Sequence, residues 1–225
     1  MTPAASSIVI PEIFGRRATA ACPSGLLASI ELMGAPVLFA RNEEIYGEGE
    51  GSEYAYKVMR GAVRVYKLLS DGRRQISAFY LPGDIFGLEP GEEHAFSADA
   101  IVDSSIIVVK RSAITALTAK DLTSAQQLWA LTALELQHMQ DHVVLLVQSA
   151  RERIASFLLQ MGQRAAHANE IELPMSRQDI ADYLGLTIET VSRTLTQLEN
   201  ASAIALPASR RIVIRNRRAL NQLNS

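Results

Sequence analysis

The sequence is poor in the residues that most metal and redox chemistry requires. Of 225 residues, one is cysteine and four are histidine. A lone Cys22 excludes an intramolecular disulfide and any four-cysteine zinc or iron–sulfur site within one chain. It fits a reducing compartment and reads as a small, inert thiol. No apolar run reaches the ~18 residues of a membrane span. Met1 to Ile10 lacks the basic start and long apolar stretch of a secretory signal, so the expected location is cytoplasmic, with no membrane partner. His138 and His142 stand one helical turn apart, but Met139 occupies the place a zinc-protease motif gives to glutamate. They read as polar positions flanking a helix seam. His94, in a polar loop, is the one histidine of the strand-rich region. No metal and no cofactor are therefore expected, and no enzyme activity.

What is present is an asymmetry of charge. Residues 151–225 hold ten arginines, no lysine and seven acids, a net +3, which leaves −5 for the remainder of a chain whose total is −2. A mildly acidic front and a basic tail suit a sensor joined to a nucleic-acid binder.

Residues 1–24 carry little periodicity. From Pro36 to Ser112, short β-type runs alternate with turns. Val37–Ala40, Ala55–Met59, Ala62–Leu69, Gln75–Leu81 and Ser105–Val109 read as strands. Asn42-Glu43-Glu44, Arg60-Gly61, Ser70-Asp71-Gly72 and Pro82-Gly83-Asp84 read as turns, Asp71-Gly72 being a hairpin signal. The pattern predicts a small antiparallel roll over residues 25–123. A helix is predicted from Ser124 to Ala150, with Trp129, Thr132, Leu136, Met139, Val143, Leu146 and Ala150 recurring in three- and four-residue steps. That seam suits pairing with a second copy, and a buried monomeric helix is the plainer alternative. A second stripe of Leu128, Leu131, Leu134 and Leu145 can pack back on the roll. Arg151 to His167 reads as a further amphipathic helix, and Ile171 to Pro174 as a short extended link.

Residues 151–225 carry the sharpest signals. Ser176, three residues before Asp179, caps a helix whose inner face is Ile180, Ala181 and Leu184. Gly185 supplies a turn with positive φ, Leu186 plugs the angle, and Thr187 caps a second helix with Val191, Leu195 and Leu198 inward. Ile188, Glu189, Ser192, Arg193 and Gln197 face outward. Arg193 can fork onto a guanine, Glu189 can accept from a cytosine amino group, Ile188 can meet a thymine methyl and Ser192 a base or phosphate. The plainer alternative for Glu189 and Arg193 is an i,i+4 surface salt bridge worth about 0.3–0.5 kcal/mol. Ser176, Arg177, Thr187 and Thr190 at the helix starts are expected at the DNA backbone. Ala203–Leu206 and Arg211–Ile214 read as a hairpin wing, with Arg210 and Arg211 as phosphate clamps.

The run from Leu173 to Arg193 resembles the winged helix-turn-helix of the CRP/FNR family, and looks most like its FixK branch, whose members control low-oxygen and nitrogen-fixation genes. Gly61–Lys67, Asp71–Ile76 and Pro82–Gly87 look like that family's β-roll, so the resemblance covers about residues 35 to 220. It implies an α+β chain: a cyclic-nucleotide-binding-like jelly roll, a dimerisation helix over 124–150, and a DNA-binding domain over 151–225. It further implies a transcription activator, homodimeric on a TTGAT-like inverted repeat in double-stranded DNA and partnered with RNA polymerase. Glu189, Ser192 and Arg193 match the family's E-x-x-S-R reading positions, while Ile188 stands where cyclic-AMP-type members carry arginine. The Gly-Glu and Arg-Ser/Thr that hold nucleotide correspond here to Gly87-Leu88-Glu89-Pro90 and Phe96-Ser97-Ala98-Asp99. No arginine faces a phosphate there, Asp99 would repel one, and Glu89 reads as a turn residue. Cys22 alone cannot replace the cysteine cluster of the oxygen-sensing branch. The rivals are a regulator gated by haem or a small effector in the roll, and a metal-dependent barrel enzyme.

Overall fold

The computed structural model describes residues 25–165 and 169–223; Cys22 and His167 fall outside them. A short helix α1 (Leu26–Met33) leads into β1 (Ala35–Phe39), β2 (Glu44–Tyr46), β3 (Tyr54–Arg60), β4 (Val63–Leu68), β5 (Arg74–Tyr80), β6 (Ile85–Phe86), β7 (Ser97–Ala100) and β8 (Ser104–Lys110). These form two four-stranded antiparallel sheets of order β1-β8-β3-β6 and β2-β7-β4-β5. Helices α2 (Arg111–Thr118), α3 (Leu122–Leu145) and α4 (Ala150–Arg164) follow. The chain closes with β9 (Glu170–Glu172), α5 (Arg177–Leu184), α6 (Ile188–Asn200), β10 (Ile204–Ala208), β11 (Arg211–Ile214) and α7 (Arg217–Leu223).

The expected roll is present, with three short strands the sequence pattern did not give: β2, β6 and β7. Ser-Ala-Asp-Ala has little strand propensity of its own; β7 exists because β2 and β4 pair with it on either side. Along β4, Val63 and Val65 enter the roll, where they meet Tyr46, Tyr56, Val58, Phe86, Ala98 and Ile106. Arg64 and Tyr66 take the other face by strand alternation. The β4–β5 hairpin closes at Asp71-Gly72 as predicted: Gly72 has φ +83°, and Asp71 accepts the Arg73 backbone N–H at 3.0 Å.

The long helix differs from its expected span. It ends at Leu145 rather than running to Ala150, and Ala150 is the first residue of α4. The break has a local cause. Ser149 and Glu152 form a reciprocal capping box, which satisfies the free N–H groups of a new helix. Leu146 therefore leaves the seam and packs with Leu145, Ile154 and Leu186 in the core shared with α4–α6. Val147, just past the helix end, is 82% exposed, and Trp129, Leu136, Met139 and Val143 of α3 are exposed to a lesser degree. Of the second stripe, Leu128 and Leu131 do pack against the roll, beside Leu26, Ile107 and Ile114. The expected link at Ile171 to Pro174 begins within β9, which pairs with β11 and makes the wing a three-stranded sheet.

One continuous core joins the two halves. Ala62, Ile76, Phe79 and Ile101 of the roll pack with Ile154, Phe157 and Leu158 of α4 and with Ile180 and Tyr183 of α5. Tyr183 lies at its centre, with ring centroids 5.1 Å from Phe79 and 5.9 Å from Phe157.

Gly61 is the tightest turn in the roll. Its φ is +91°, and a Cβ there would lie 2.7 Å from the Ser104 Cα. Gly72 has a similar φ of +83° but open space around it. Gly72→Ala should therefore cost only the left-handed strain of about 1 kcal/mol. Gly61→Ala adds a backbone clash and should cost at least about 3 kcal/mol. Urea unfolding of the two variants tests this, and equal losses would refute the close approach.

Candidate nucleic-acid interface

The helix-turn-helix is built by three local devices, each visible in the geometry. The Ser176 hydroxyl accepts the Asp179 N–H at 3.1 Å, while Asp179 accepts the Ser176 N–H at 2.9 Å and its hydroxyl at 2.7 Å. Gly185, at φ +62° and ψ +40°, ends α5 in the left-handed region, and the Leu186 N–H returns to the Ala181 carbonyl at 3.0 Å. The Thr187 hydroxyl then accepts the Thr190 N–H at 3.3 Å to start α6. Val191, Leu195 and Leu198 turn inward as expected, and Thr194 joins them.

The opposite face of α6 is open. Glu189, Arg193 and Gln197 are exposed, Ile188 is 37% exposed, and Ser192 is half-buried. Among the described residues, Glu189 and Arg193 are not an ion pair. The Glu189 carboxyl is pulled below its usual value by its own backbone N–H and the Thr187 hydroxyl, with Arg193 acting through space. Both side chains thus remain available, charged, within one turn of the positive helix end. Thr187 is exposed at that end and Thr190 is half-buried; at the start of α5, Ser176 and Arg177 are both half-buried. On the wing, Arg210 is half-buried, and its carbonyl accepts the Leu173 N–H at 2.8 Å. Arg211 is exposed but engaged by Glu170 of the added strand β9.

The residues that sequence reasoning missed lie on the roll. Arg64 reaches the Asp179 Oδ1 through Nη1 at 3.0 Å and the Asp99 Oδ2 through Nη2 at 2.9 Å. Arg74 reaches the same Asp179 oxygen at 2.6 Å and the Asp182 Oδ2 at 2.8 Å. Gln75 donates to the Tyr183 carbonyl at 3.3 Å. The start of α5 is thereby bound to β4 and β5, and nothing local in the sequence announces pairs separated by more than a hundred residues. Asp99 consequently does not face the roll interior. It is the cross-strand partner of Arg64 on the outer face, and its charge is compensated.

The roll interior is occupied by rings. Tyr46 stacks on His94 with centroids 3.6 Å apart, and Phe86 stacks on Tyr56 and on Tyr80, each at 5.0 Å. His94 does lie in the loop before β7, but it is 2% exposed and bonded to Glu89, so Glu89 is more than a bare turn residue. Arg111 draws that loop inward by donating to the carbonyls of Ser52 at 2.9 Å and Glu89 at 2.6 Å. On α3 the His142 ring meets Tyr183 at 4.3 Å, a contact that its reading as a polar flanking position did not supply. Among the described residues, no group of three or more His, Cys, Asp or Glu side chains is placed to hold a metal ion.

Comparison with known proteins follows the same division. Residues 36–121 match the family described as the cyclic nucleotide-binding domain, and residues 152–223 the Crp-like helix-turn-helix domain. The nitrogen fixation regulation protein FixK of Azorhizobium caulinodans is 51% identical over 202 residues, 87% of this chain and 82% of that protein. The chain belongs to the CRP/FNR family. Within it the resemblance is to FixK-type transcription regulators. FixK of Rhizobium meliloti is 44% identical over 80% of this chain and 82% of its own length. The solved structure of FixK2 from Bradyrhizobium japonicum superposes with a TM-score of 0.82 at 52% identity, covering 85% of this chain and 98% of that one. The family member is a regulator and not an enzyme, which disposes of the barrel-enzyme rival.

Asp179 gives the regulator a pH-dependent stability. Burial pushes its carboxyl up, but Ser176 and the Arg64 and Arg74 guanidiniums outweigh burial and hold it below the usual 3.8. A depressed folded pKa contributes stability that is present above the unfolded value and is lost as pH falls through the folded one. Asp179→Asn leaves the Ser176 hydroxyl in place to accept the N–H of residue 179, but takes the carboxylate out of the buried pairs at a cost of about 3–5 kcal/mol at pH 7. The gap between variant and wild type in urea should narrow as pH falls below 3.8; a gap independent of pH would show that the charge of Asp179 is not what matters.

Proposed function

We propose that this protein is a cytoplasmic homodimer that reads a TTGAT-like inverted repeat and activates nitrogen-fixation or low-oxygen genes through RNA polymerase. The observation that carries the reading is the α6 surface: Ile188, Glu189, Ser192 and Arg193 stand together outside a capped, positively polarised helix start. Recognition helices meet base edges with such N-terminal residues. Arg193 forks onto a guanine, Glu189 accepts from cytosine, and Ile188 and Ser192 complete the contact. Ser176, Arg177, Thr187, Thr190, Arg210 and Arg211 fix the register on the phosphates. The Glu170 carboxylate orients Arg211 without neutralising the whole wing, since Arg210 stands beside it.

The dimer is supported by the exposed apolar stripe on α3. Trp129 is 77% exposed, and Leu136, Met139 and Val143 are each more than half exposed. An unpartnered row of this size marks an association surface, with Thr132 exposed on the same helix; Leu146, expected in the same row, packs against the core. Activation is the reading because relatives such as AadR of Rhodopseudomonas palustris and Anr of Pseudomonas protegens bear the names transcriptional activatory and activator protein. Control of nitrogen fixation follows the names of the FixK relatives. Activity without nucleotide or haem is supported by the packed rings of Tyr46, Tyr56, Tyr80, Phe86 and His94 inside the roll, and activity without a cluster by the single cysteine. Among the described residues no helix is long and apolar enough to cross a membrane.

Selection of bound duplexes from random DNA by the purified, effector-free protein tests the whole reading; recovery of no inverted repeat would defeat it. On the selected duplex, Arg193→Ala should lose about 1–3 kcal/mol and its preference at one guanine per half-site. Equal loss on scrambled DNA would make Arg193 a phosphate contact instead. Met139→Glu with Val143→Glu should give monomers by sedimentation that bind the duplex weakly, whereas a surviving dimer would place the interface elsewhere.

A further inference from the structure

We propose that Arg64 and Arg74 of the β-roll are positioning residues for operator binding: through Asp179 and Asp182 they fix the helix-turn-helix at one orientation relative to α3. This rests on the dimeric reading above and adds to it a requirement on the half of the molecule that touches no base.

The chemistry is unusually committed for a contact between domains. Asp179 is 3% exposed, and Arg64 and Asp99 are both buried. Each Asp179 oxygen has its own duty: Oδ2 closes the α5 cap on Ser176, and Oδ1 receives both arginines. Arg74 spans one turn of α5, pairing with Asp179 and Asp182 together, and a planar fork sets direction as well as distance. Arg64 is itself held from behind by Asp99, which also accepts the Tyr66 hydroxyl at 3.2 Å. In a low-dielectric interface, removing Asp179 takes a partner from both arginines at once, whereas removing Asp182 leaves each of them a partner.

The need for such a hold lies in the joint. Helix α3 stops at Leu145 and α4 starts at Ala150, so α3 does not run unbroken into the reading domain. Reading two half-sites demands that two copies of α6 stand about one DNA turn apart, roughly 34 Å. A contact that fixed α5 but covered α6 would be a mask. Here Ile188, Glu189, Arg193 and Gln197 remain open while the arginines are engaged, so the contact presents the reading face.

The test uses full-length protein and the duplex that wild type selects from random DNA, together with duplexes whose centre is one base pair longer or shorter. The variants are Arg74→Ala, Asp182→Ala and the two combined, each checked for folding by urea titration and for dimerisation by sedimentation. Wild type should discriminate strongly among the three spacings. Each single variant should remain a folded dimer, lose about tenfold on the native spacing, and bind the altered spacings nearly as well as the native one. The combined variant should be no worse than the singles, and the preference at the Arg193 guanine should be unchanged. Asp182→Ala leaves both arginines on Asp179, so it carries the test if Arg74→Ala fails to fold. Retained spacing discrimination in a folded dimeric variant overturns the proposal, and so does tighter binding, which would mean that the arginines restrain the reader. If wild type is monomeric or selects no inverted repeat, the dimeric reading has failed and the positioning role falls with it.

Discussion

A carboxylate taken out of water must be given back its hydrogen bonds, and Asp179 receives four, two from Ser176 and one each from Arg64 and Arg74. That requirement organises the molecule. The two bonds from Ser176 define where α5 starts, and hence the angle at Gly185 and the exit of α6. The two from arginine tie this start to the outer face of β4 and β5. Around the charges, Ile76, Phe79, Phe157 and Tyr183 exclude water, and that exclusion is what makes the pairing directional. The apolar pad supplies adhesion; the ionic pairs choose one orientation among the many an apolar pad would accept.

The opposite face of the same strands explains why the roll can serve as a rigid base. Val63 and Val65 point into an interior already filled by Tyr46, Tyr56, Tyr80, Phe86 and His94. Burial pushes the Tyr56 phenol up to about 12 and the Tyr46 and Tyr80 phenols up as well, so these rings pack as neutral bodies at physiological pH. Tyr80 then donates to Glu135 of α3 at 2.6 Å, joining the packed interior to the helix that carries the exposed stripe. A roll filled in this way transmits position as a rigid body.

Local signals in the sequence were sufficient wherever the physics is local. Ser176 with Asp179 three residues on, Gly185 and Thr187 specify caps and a turn within one span of chain, so the reading helix was legible to the residue. The capping box of Ser149 and Glu152 carried the same kind of signal, but the heptad rhythm running on through Leu146 and Ala150 concealed it. Periodicity describes a face and does not report a break in the backbone. The strands β7 and β9 were illegible for another reason: short and weakly β-prone, they are strands only because β4 and β11 lie beside them. Nothing local in the sequence marked Arg64 and Arg74, since the α5 carboxylates that they bind lie more than a hundred residues away.

The charge of the reading domain takes on a different value once the pairs are known. Its formal +3 counts Asp179 and Asp182 as acids facing DNA, but both are occupied by arginines that the roll contributes. Glu152 is spent on the Ser149 N–H, and Glu199 on the Leu206 N–H at 2.8 Å. Asp179 and Asp182 therefore serve the domain contact and Glu170 pairs with Arg211, while Arg177, Arg193, Arg210, Arg215 and Arg218 form no salt bridge among the described residues. Fields from unpaired charges reach a phosphate backbone across about 8–10 Å of salt solution, whereas a compensated pair contributes little at that range. The arginines of the roll thus act twice through one contact: they set the angle of the reading helix, and they compensate two of the domain's acids, Asp179 and Asp182, which would otherwise oppose its approach to DNA.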